Sequence, residues 1–344
     1  VGWPEGIGRG SMALRNVQYG HRIVEMIGER LPSSFVVATM EEPWTVVAPR
    51  LSRTPASIIE VQSMDQETVV QVEESVPLVE AVLGVGGGAA MDMAKYIHWK
   101  RGIPLYLLPT IASVDAAVTS SIAVRVEGKV RYIGSAEPVV VGVDFPVIQS
   151  APAHLNRAGV GDILSIHTAL WDWRLSSERG HDPYSEEVAA QAAGMLRRME
   201  EAVEDLRAVT EEGIRLLFDL YNEENDLCEK WGNSRPEEGS EHFFAYNVEY
   251  LTGRHFVHGE LVCLGVYVLS FVQANDPARV HQFLNAVGVR YRLGELGIEE
   301  EVFREALLTL RDYVEHERLF YSIINEVEID DQMVDRILSE LDLH

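Results

Sequence analysis

Short apolar runs alternate with helical stretches through the first half of the chain. Phe35-Val36-Val37-Ala38, Ser57-Ile58-Ile59-Glu60-Val61, Ala81-Val82-Leu83-Gly84-Val85, Leu105-Tyr106-Leu107-Leu108 and Val139-Val140-Val141 read as strands. The first four start about two dozen residues apart, the pitch of βα units in a parallel sheet. Their runs are apolar rather than alternating, as expected where helices cover both faces of a sheet. From about Pro152 the pattern changes to long amphipathic segments. Residues 186–209 form one predicted helix, with Val188, Ala192, Met195, Met199, Ala202, Val203 and Leu206 near helical spacing. Residues 302–314 and 333–341 predict two more. Ser150-Ala151-Pro152 interrupts the first pattern. The chain is therefore read as an α/β domain built on a parallel sheet, residues 13–152, followed by an all-α domain, residues 153–344. No internal repeat or low-complexity stretch is seen. The charged clusters at 222–226 and 299–301 read as solvated faces or loop edges.

A chain of 344 residues is long enough for two domains, and 47% hydrophobic with 24% charged residues is ordinary for a globular protein. The charge balance narrows the partners. With 29 basic and 54 acidic residues the net charge is 29 − 54 = −25. Such a field repels phosphate backbones and argues against nucleic acid; an anionic substrate needs a local basic patch. The two cysteines, Cys228 and Cys263, form no CxxC pair or disulfide framework, which suits a reducing cytoplasm. No apolar run reaches the length of a membrane span. Residues 1–12 are Gly-rich and lack the basic and apolar regions of a signal peptide; they read as a poorly ordered leader or a cloning remnant.

One strand runs straight into a glycine turn. Gly84-Val85-Gly86-Gly87-Gly88 leads into Ala89-Ala90-Met91-Asp92-Met93-Ala94-Lys95, which opens a helix. Without Cβ atoms the backbone of Gly86, Gly87 and Gly88 can turn sharply and let a diphosphate approach its N–H groups. The helix N-terminus adds unpaired donors and a positive dipole end. This is not the GxGxxG fingerprint, and a tight turn without a ligand explains it equally well. Asp92 is expected to cap or order the loop, and Lys95 either to reach a phosphate or to stand exposed. The next strand ends in Pro109-Thr110-Ile111-Ala112-Ser113-Val114-Asp115, followed by Thr119, Ser120 and Ser121. Hydroxyls at the carboxyl end of a parallel strand lie where ligands bind in open α/β sheets. A polar loop that satisfies its own backbone is the plainer alternative.

Three segments of the second half carry metal-ligand chemistry. They are Gly159-Val160-Gly161-Asp162, Asn233-Ser234-Arg235-Pro236-Glu237-Glu238-Gly239-Ser240-Glu241-His242, and His255-Phe256-Val257-His258-Gly259-Glu260. Alone, Asp162 reads as a helix N-cap and each histidine as a core or surface residue. Together, Asp162, His242 and His258 each open a helical segment of one domain. They offer three protein ligands and leave a position open for substrate oxygen. Zn2+ and Fe2+ both accept such ligands, so the residues leave the metal open.

Five motifs in order resemble the iron-containing alcohol dehydrogenase-like superfamily. They are Gly86-Gly87-Gly88-x-x-x-Asp92-x-x-Lys95, Pro109-Thr110-x-x-Ser113-x-Asp115, Gly159-x-Gly161-Asp162, Glu241-His242 and His258-Gly259-Glu260. That superfamily includes glycerol dehydrogenase, sn-glycerol-1-phosphate dehydrogenase and, more distantly, 3-dehydroquinate synthase. The resemblance runs from about Asn16 to Phe271. It implies a Rossmann-like domain and a helical domain in a dehydroquinate synthase-like fold. Pro109 to Ala116 looks like glycerol dehydrogenase. Asp162 with Thr168-Ala169 and Asp172-Trp173-Arg174-Leu175, and Asn233-Ser234-Arg235-Pro236 before Glu241-His242, look like the glycerol-1-phosphate enzymes, which are favoured. Two departures fall near the substrate. Those enzymes usually have Asp-Gly where this chain has Asp115-Ala116, and a further His shortly after Glu-His, where this chain runs Phe243-Phe244-Ala245-Tyr246-Asn247.

The resemblance implies NAD or NADP as coenzyme, with its pyrophosphate on Gly86 to Gly88, its nicotinamide near Thr110 and Thr119, and Asp92, Lys95 and Ser113 in the same site. It implies one divalent metal on Asp162, His242 and His258 that meets the hydroxyl of a small polyol or polyol phosphate and lowers its pKa. Asp115 is then expected to hydrogen-bond a second substrate hydroxyl. Arg235 is expected to grip a substrate phosphate, or else to pair with Glu237, Glu238 or Glu241. His255 is expected to relay a proton or to be surface. Glu41, after Thr39-Met40, sits where an acidic residue meets the adenosine ribose in related NAD enzymes; Thr39 would instead tolerate a 2′-phosphate. A homo-oligomer is common in the family. Two rivals remain in view. A dehydroquinate synthase-like lyase would need several Lys and Arg residues around a carboxylate and a phosphate, and the second half is poor in lysine, with Lys230 the clearest example after Asp162. A relative that binds metal or nucleotide without catalysis would keep the ligands and the turn.

Overall fold

The computed structural model of the protein describes residues 16–342. The Gly-rich start, 1–12, and the first residues of the expected α/β domain lie outside the described residues. Among the described residues eight strands follow one another: β1 (Val17–Gly20), β2 (Phe35–Thr39), β3 (Ser57–Glu60), β4 (Ala81–Gly86), β5 (Leu105–Pro109), β6 (Ile122–Val126), β7 (Lys129–Ile133) and β8 (Val140–Asp144). Six form one parallel sheet in the order β1-β8-β5-β4-β2-β3, and β6 and β7 pair as a separate antiparallel hairpin. The strands β2, β4, β5 and β8 are buried along their whole length, which is why they read as unbroken apolar runs. All five expected strands are present, four of them within a residue at either end, while the fifth starts one residue later and runs three residues further, to Asp144.

The sheet changes direction once. From β2 the chain moves outward to the edge strand β3, then returns past β2 to β4 and continues to β5. In open parallel sheets such a reversal leaves a crevice at the carboxyl ends of the two strands beside it. Here those ends carry Thr39 and Gly86.

Among the described residues, three strands appear that the apolar pattern does not announce. Val17-Gln18-Tyr19-Gly20 is an edge strand of mixed polarity. The hairpin β6–β7 alternates Ile122, Val124 and Val126 with Ala123 and Arg125, and turns through Glu127 and Gly128. Both turn residues have positive φ, 54° and 76°, as a two-residue hairpin turn of this hand requires. Some helices are shorter than expected. The segment 186–209 is two helices, Glu186–Glu200 and Val203–Ala208, and 302–314 falls across Glu300–Leu308 and Leu310–Glu317. The cluster at 222–226 is not a solvated face: it lies inside the helix Glu211–Trp231, where Glu224 and Asn225 are buried. Residues 299–301 are exposed at a helix start, as expected.

The described chain forms two compact units. One contains the sheet, residues 16–156, together with Ala208–Asp226; the other contains Arg157–Arg207 and 227–342 and is helical. A single boundary at residue 152 therefore falls just short of the end of the first stretch and misses the segment that returns to it.

In the sheet unit, Asp144 ties the first strand to the last. Its fully buried carboxylate accepts from the N–H groups of Ile23 (2.9 Å) and Val24 (3.3 Å), which open the helix Ile23–Arg30. Arg50 donates to both carboxylate oxygens, at 2.9 and 2.7 Å, and also to Glu25 and to the His21 carbonyl. Removing one partner of such a pair strands the other charge. Asp144→Ala should lower the unfolding free energy by about 3 kcal/mol, read from the urea midpoint at unchanged slope. A loss below about 0.5 kcal/mol would show that Arg50 and the helix start are satisfied without it.

Candidate functional site

In the helical unit, two glycine contacts decide where the polar residues fall. A Cβ on Gly161 would lie 2.5 Å from the Gly259 carbonyl oxygen, and one on Gly265 would lie 2.5 Å from the Glu241 carbonyl oxygen. The helices Val160–Leu164, His258–Val272 and Ser240–Thr252 therefore touch backbone to backbone. Residues 259–270 are all buried, so His258–Val272 is the central helix of this unit. Asp162, His242 and His258 each fall in the first turn of one of the three helices.

These three side chains converge. One ligand atom from each lies within 4.8 Å of the other two, a spacing able to hold one ion. His258 Nε2 is 3.4 Å from Asp162 Oδ1, and the His242 and His258 ring centroids are 5.4 Å apart. Asp162 and His242 are buried, while His258 is about one-third exposed. An anionic oxygen and two imidazole nitrogens make a donor set for Zn2+ or Fe2+. Such a set fits a divalent ion, and the half-open edge at His258 leaves room for a further oxygen ligand.

Behind the ligands stands a polar layer that sequence reasoning missed. His242 Nδ1 is 2.9 Å from Glu241 Oε1, which also accepts from the Gly239 N–H at 2.6 Å. The other oxygen of Glu241 accepts from Thr168 Oγ1 at 2.7 Å. Gln273 Nε2 donates to the Thr168 carbonyl at 3.1 Å. Asp172 accepts from the Ser240 N–H (2.9 Å), the Ser240 hydroxyl (2.6 Å) and the Ile323 N–H (2.8 Å). Glu238 accepts from Tyr246 at 3.0 Å and from Ser234. Burial alone would lower the pKa of His242; Glu241, helped by Glu238 and Asp162, outweighs it and raises the ring above its ordinary value. Burial pushes Glu260, of the His258-Gly259-Glu260 motif, up to about 7 against the pull of Arg290.

The other expected substrate groups fare differently. Arg235 is fully buried and pairs with Asp182 through Nε (3.0 Å) and Nη2, while Nη2 also donates to the Tyr321 carbonyl at 2.7 Å. Its guanidinium lies 4.5 Å from the Phe320 ring. The partners offered by sequence spacing, Glu237, Glu238 and Glu241, are replaced by an aspartate 53 positions away. These partners take Nε and Nη2, while the buried Nη1 has no hydrogen-bond partner among the described residues. His255 is exposed.

In the sheet unit the glycine turn joins β4 to the helix Gly88–Arg101. Gly86 has φ +145° and would carry a Cβ 2.9 Å from that of Ala90. A Cβ on Gly87 would lie 2.9 Å from Ile111 Cδ1, and one on Gly88 3.2 Å from Val114 Cγ1. The glycines thus let the loop 110–114 close over the turn, a packing role independent of any ligand. No side chain caps this helix start, so a 14-residue helix presents its first N–H groups uncapped. A diphosphate fits such a start. Thr110 N–H bonds to the Gly86 carbonyl at 2.9 Å, and both Thr110 and Ser113 are buried beside it. Asp115 Oδ2 accepts from Asn225 Nδ2 at 2.8 Å.

Lys95 does not stand exposed. It is fully buried; Nζ pairs with Asp92 (2.7 Å) and donates to the carbonyls of Ser121 (2.5 Å) and Thr119 (3.5 Å). The Asp92–Lys95 pair fixes the 119–121 segment.

Residues 22–152 match the family model for iron-containing alcohol dehydrogenase. Over 260 residues the chain is 33% identical to the glycerol-1-phosphate dehydrogenase [NAD(P)+] of Pyrobaculum arsenaticum, covering 74% of this chain and 76% of that one. The chain belongs to the iron-containing alcohol dehydrogenase family. A second relative in that family, the glycerol-1-phosphate dehydrogenase [NAD(P)+] of Sulfurisphaera tokodaii, is 26% identical over 337 residues, 95% of each chain. The iron-containing alcohol dehydrogenase fold is also that of glycerol dehydrogenase from Schizosaccharomyces pombe, with TM-score 0.70 and 20% identity over 98% of this chain and 91% of that one. Among the described residues no helix is long and apolar enough to cross a membrane.

The Asp172 network makes a pH-dependent claim. Burial, opposed by the Ser240 hydroxyl, pushes its carboxyl up to about 6. An acid with a higher pKa folded than unfolded binds its proton more tightly in the native state, so its contribution to stability declines as pH rises from about 4 to about 6. Asp172→Asn should cost about 2 kcal/mol near pH 5, with the gap to wild type narrowing toward pH 7 in urea titrations. A gap that widens toward pH 7 would mean that the ionised carboxylate is the stabilising form.

Proposed function

We propose that this chain is a metal-dependent, NAD-linked polyol dehydrogenase, with sn-glycerol 1-phosphate and dihydroxyacetone phosphate ahead of glycerol and dihydroxyacetone as its substrate pair. The observation that carries the reading is the convergence of Asp162, His242 and His258 within 4.8 Å in a chain of this family. The order of the substrates rests on the names of the curated relatives. A divalent ion held there supplies Lewis acidity, lowering the pKa of an alcohol and polarising a ketone; Zn2+ is proposed ahead of Fe2+. Asp162 supplies the negative charge that holds the cation, while the two imidazoles keep the remaining ligands neutral. His255, exposed three residues before His258, is proposed to pass a proton to solvent.

For the coenzyme, the proposal uses the reversal between β2 and β4. The uncapped turn at Gly86, Gly87 and Gly88 would hold the pyrophosphate, and Thr110, Ser113 and Thr119 would border the nicotinamide. Asp92 and Lys95 would serve by fixing Thr119. Glu41 opens the helix after β2 and is exposed, whereas Thr39 is buried with its hydroxyl donating to the Met40 carbonyl. A carboxylate at this crevice accepts from a ribose 2′-hydroxyl and repels a 2′-phosphate, so NAD is proposed over NADP. Asp115, held by Asn225, is proposed to accept from a second substrate hydroxyl. A reducing cytoplasm goes with this reading, since Cys228 and Cys263 are buried and form no disulfide, and a homo-oligomer is proposed with it.

Removal of metal should abolish turnover, and Zn2+ or Fe2+ should restore it; full activity in excess chelator would end the metal reading. Rates with glycerol, sn-glycerol 1-phosphate and their ketones, each with both coenzymes, decide the substrate. Faster turnover of the unphosphorylated pair would reverse the proposed order. Glu41→Ser should move the NAD-to-NADP preference by roughly tenfold toward NADP, about 1.4 kcal/mol. An unchanged ratio of kcat/KM would place the selective contact elsewhere.

A further inference from the structure

The family motif pairs His242 with Glu241, yet the glutamate cannot join the ligand set, because both of its oxygens are already engaged. Oε1 faces His242 Nδ1 at 2.9 Å and the Gly239 N–H at 2.6 Å, and Oε2 takes the Thr168 hydroxyl at 2.7 Å. Its side chain is completely buried. A carboxylate in such a place is costly unless every lone pair is used. Here the donors come from three directions. Thr168 belongs to the helix Ile166–Glu178, which follows directly on the helix carrying Asp162. Gly239 caps the helix Ser240–Thr252, and His242 stands in its first turn. Gln273, which ends the helix carrying His258, closes the ring by donating to the Thr168 carbonyl.

We propose that Glu241 is a positioning residue that holds His242 in the tautomer and ring orientation needed for metal binding. An imidazole whose Nδ1 faces a carboxylate carries its proton there and presents the lone pair of Nε2. The ring then has one way to face Asp162 and His258. Metal-bound histidines commonly lean on such a carboxylate, which also makes the nitrogen a stronger donor. Two further features keep Glu241 in place. Gly239 can only be a glycine: a Cβ there would lie 3.0 Å from Glu241 Oε2 and 2.9 Å from Asp172 Oδ2. Gly265 lets the Glu241 backbone press against the central helix. Thr168 acts through Glu241, whose Oε2 accepts its hydroxyl.

This inference rests on the metal reading of Asp162, His242 and His258, and the experiment separates the two. Zn2+ affinity of the metal-free full-length protein is measured by competition with a chelating dye for wild type, Glu241→Gln, Thr168→Val, His242→Ala and the double variant Glu241→Gln/His242→Ala. Urea unfolding of each metal-free protein runs alongside. Glu241→Gln should weaken Zn2+ binding by about 10- to 100-fold, and Thr168→Val by a smaller factor. In the His242→Ala background, Glu241→Gln should weaken Zn2+ no further, because its effect passes through that ring. A purely structural role would instead give the same loss in both backgrounds and overturn the proposal. So would Zn2+ affinities within about twofold of wild type for Glu241→Gln and Thr168→Val. If Glu241→Gln fails to fold, Thr168→Val alone decides: unchanged affinity overturns the proposal and weakened affinity supports it. Wild type that takes up no Zn2+ or Fe2+ would sink the metal reading itself.

Discussion

Backbone contact between helices is the constraint on which the helical unit depends. Side chains normally hold helix axes roughly 8–10 Å apart. At Gly161 against Gly259, and at Gly265 against Glu241, there is no side chain to do so. The first turns carrying Asp162, His242 and His258 are brought together by that loss of bulk. Any residue with a Cβ at these glycines would have to push a backbone carbonyl aside, and interiors packed at crystal density transmit such shifts rather than absorb them. The ligand geometry is therefore a property of the helix packing, and the ligands themselves need only be short enough to meet.

The same closeness explains the cost carried behind the site. Glu241, Asp172 and Glu238 are carboxylates with almost no access to water. A buried charge rarely improves stability, and replacement by apolar residues is often neutral or better. Their presence suits a site where orientation matters more than stability. Each one accepts from main-chain or side-chain donors on neighbouring helices, so each fixes a rotation as well as a distance.

What could be read from the sequence follows how local each signal is. The strands β2, β4, β5 and β8 are legible because burial on both faces leaves a run of apolar residues that needs no partner to recognise. β1 is not, since Val17-Gln18-Tyr19-Gly20 becomes a strand only by pairing with β8, more than one hundred and twenty positions on. The hairpin was readable in principle from alternation around Glu127-Gly128, a weaker signal because glutamate is a poor occupant of the left-handed region. Helix starts at Asp162, His242 and His258 were legible through the glycines before or after them. The partner of Arg235 was not, because Asp182 is distant in sequence and no nearby carboxylate was excluded. Lys95 misled for the reverse reason: lysine is seldom buried, yet here two carbonyls and Asp92 enclose it.

The first strand of the sheet closes against the last, and the segment Ala208–Asp226 then joins the same unit. Neither feature can form early. A ribosome that has released residues 16–139 has made five of the six sheet strands, but β1 still lacks β8, its neighbour in the sheet, and Asp144 has not yet arrived to gather Ile23, Val24 and Arg50. Completion waits for 226 − 139 = 87 more residues, most of them (157–207) belonging to the other unit. Contacts this far apart in sequence slow folding, and they make the birth of the two units interdependent. The sheet unit is interrupted in the chain by helices of its neighbour, so the growing polypeptide must begin one structure, start a second, and return to finish the first.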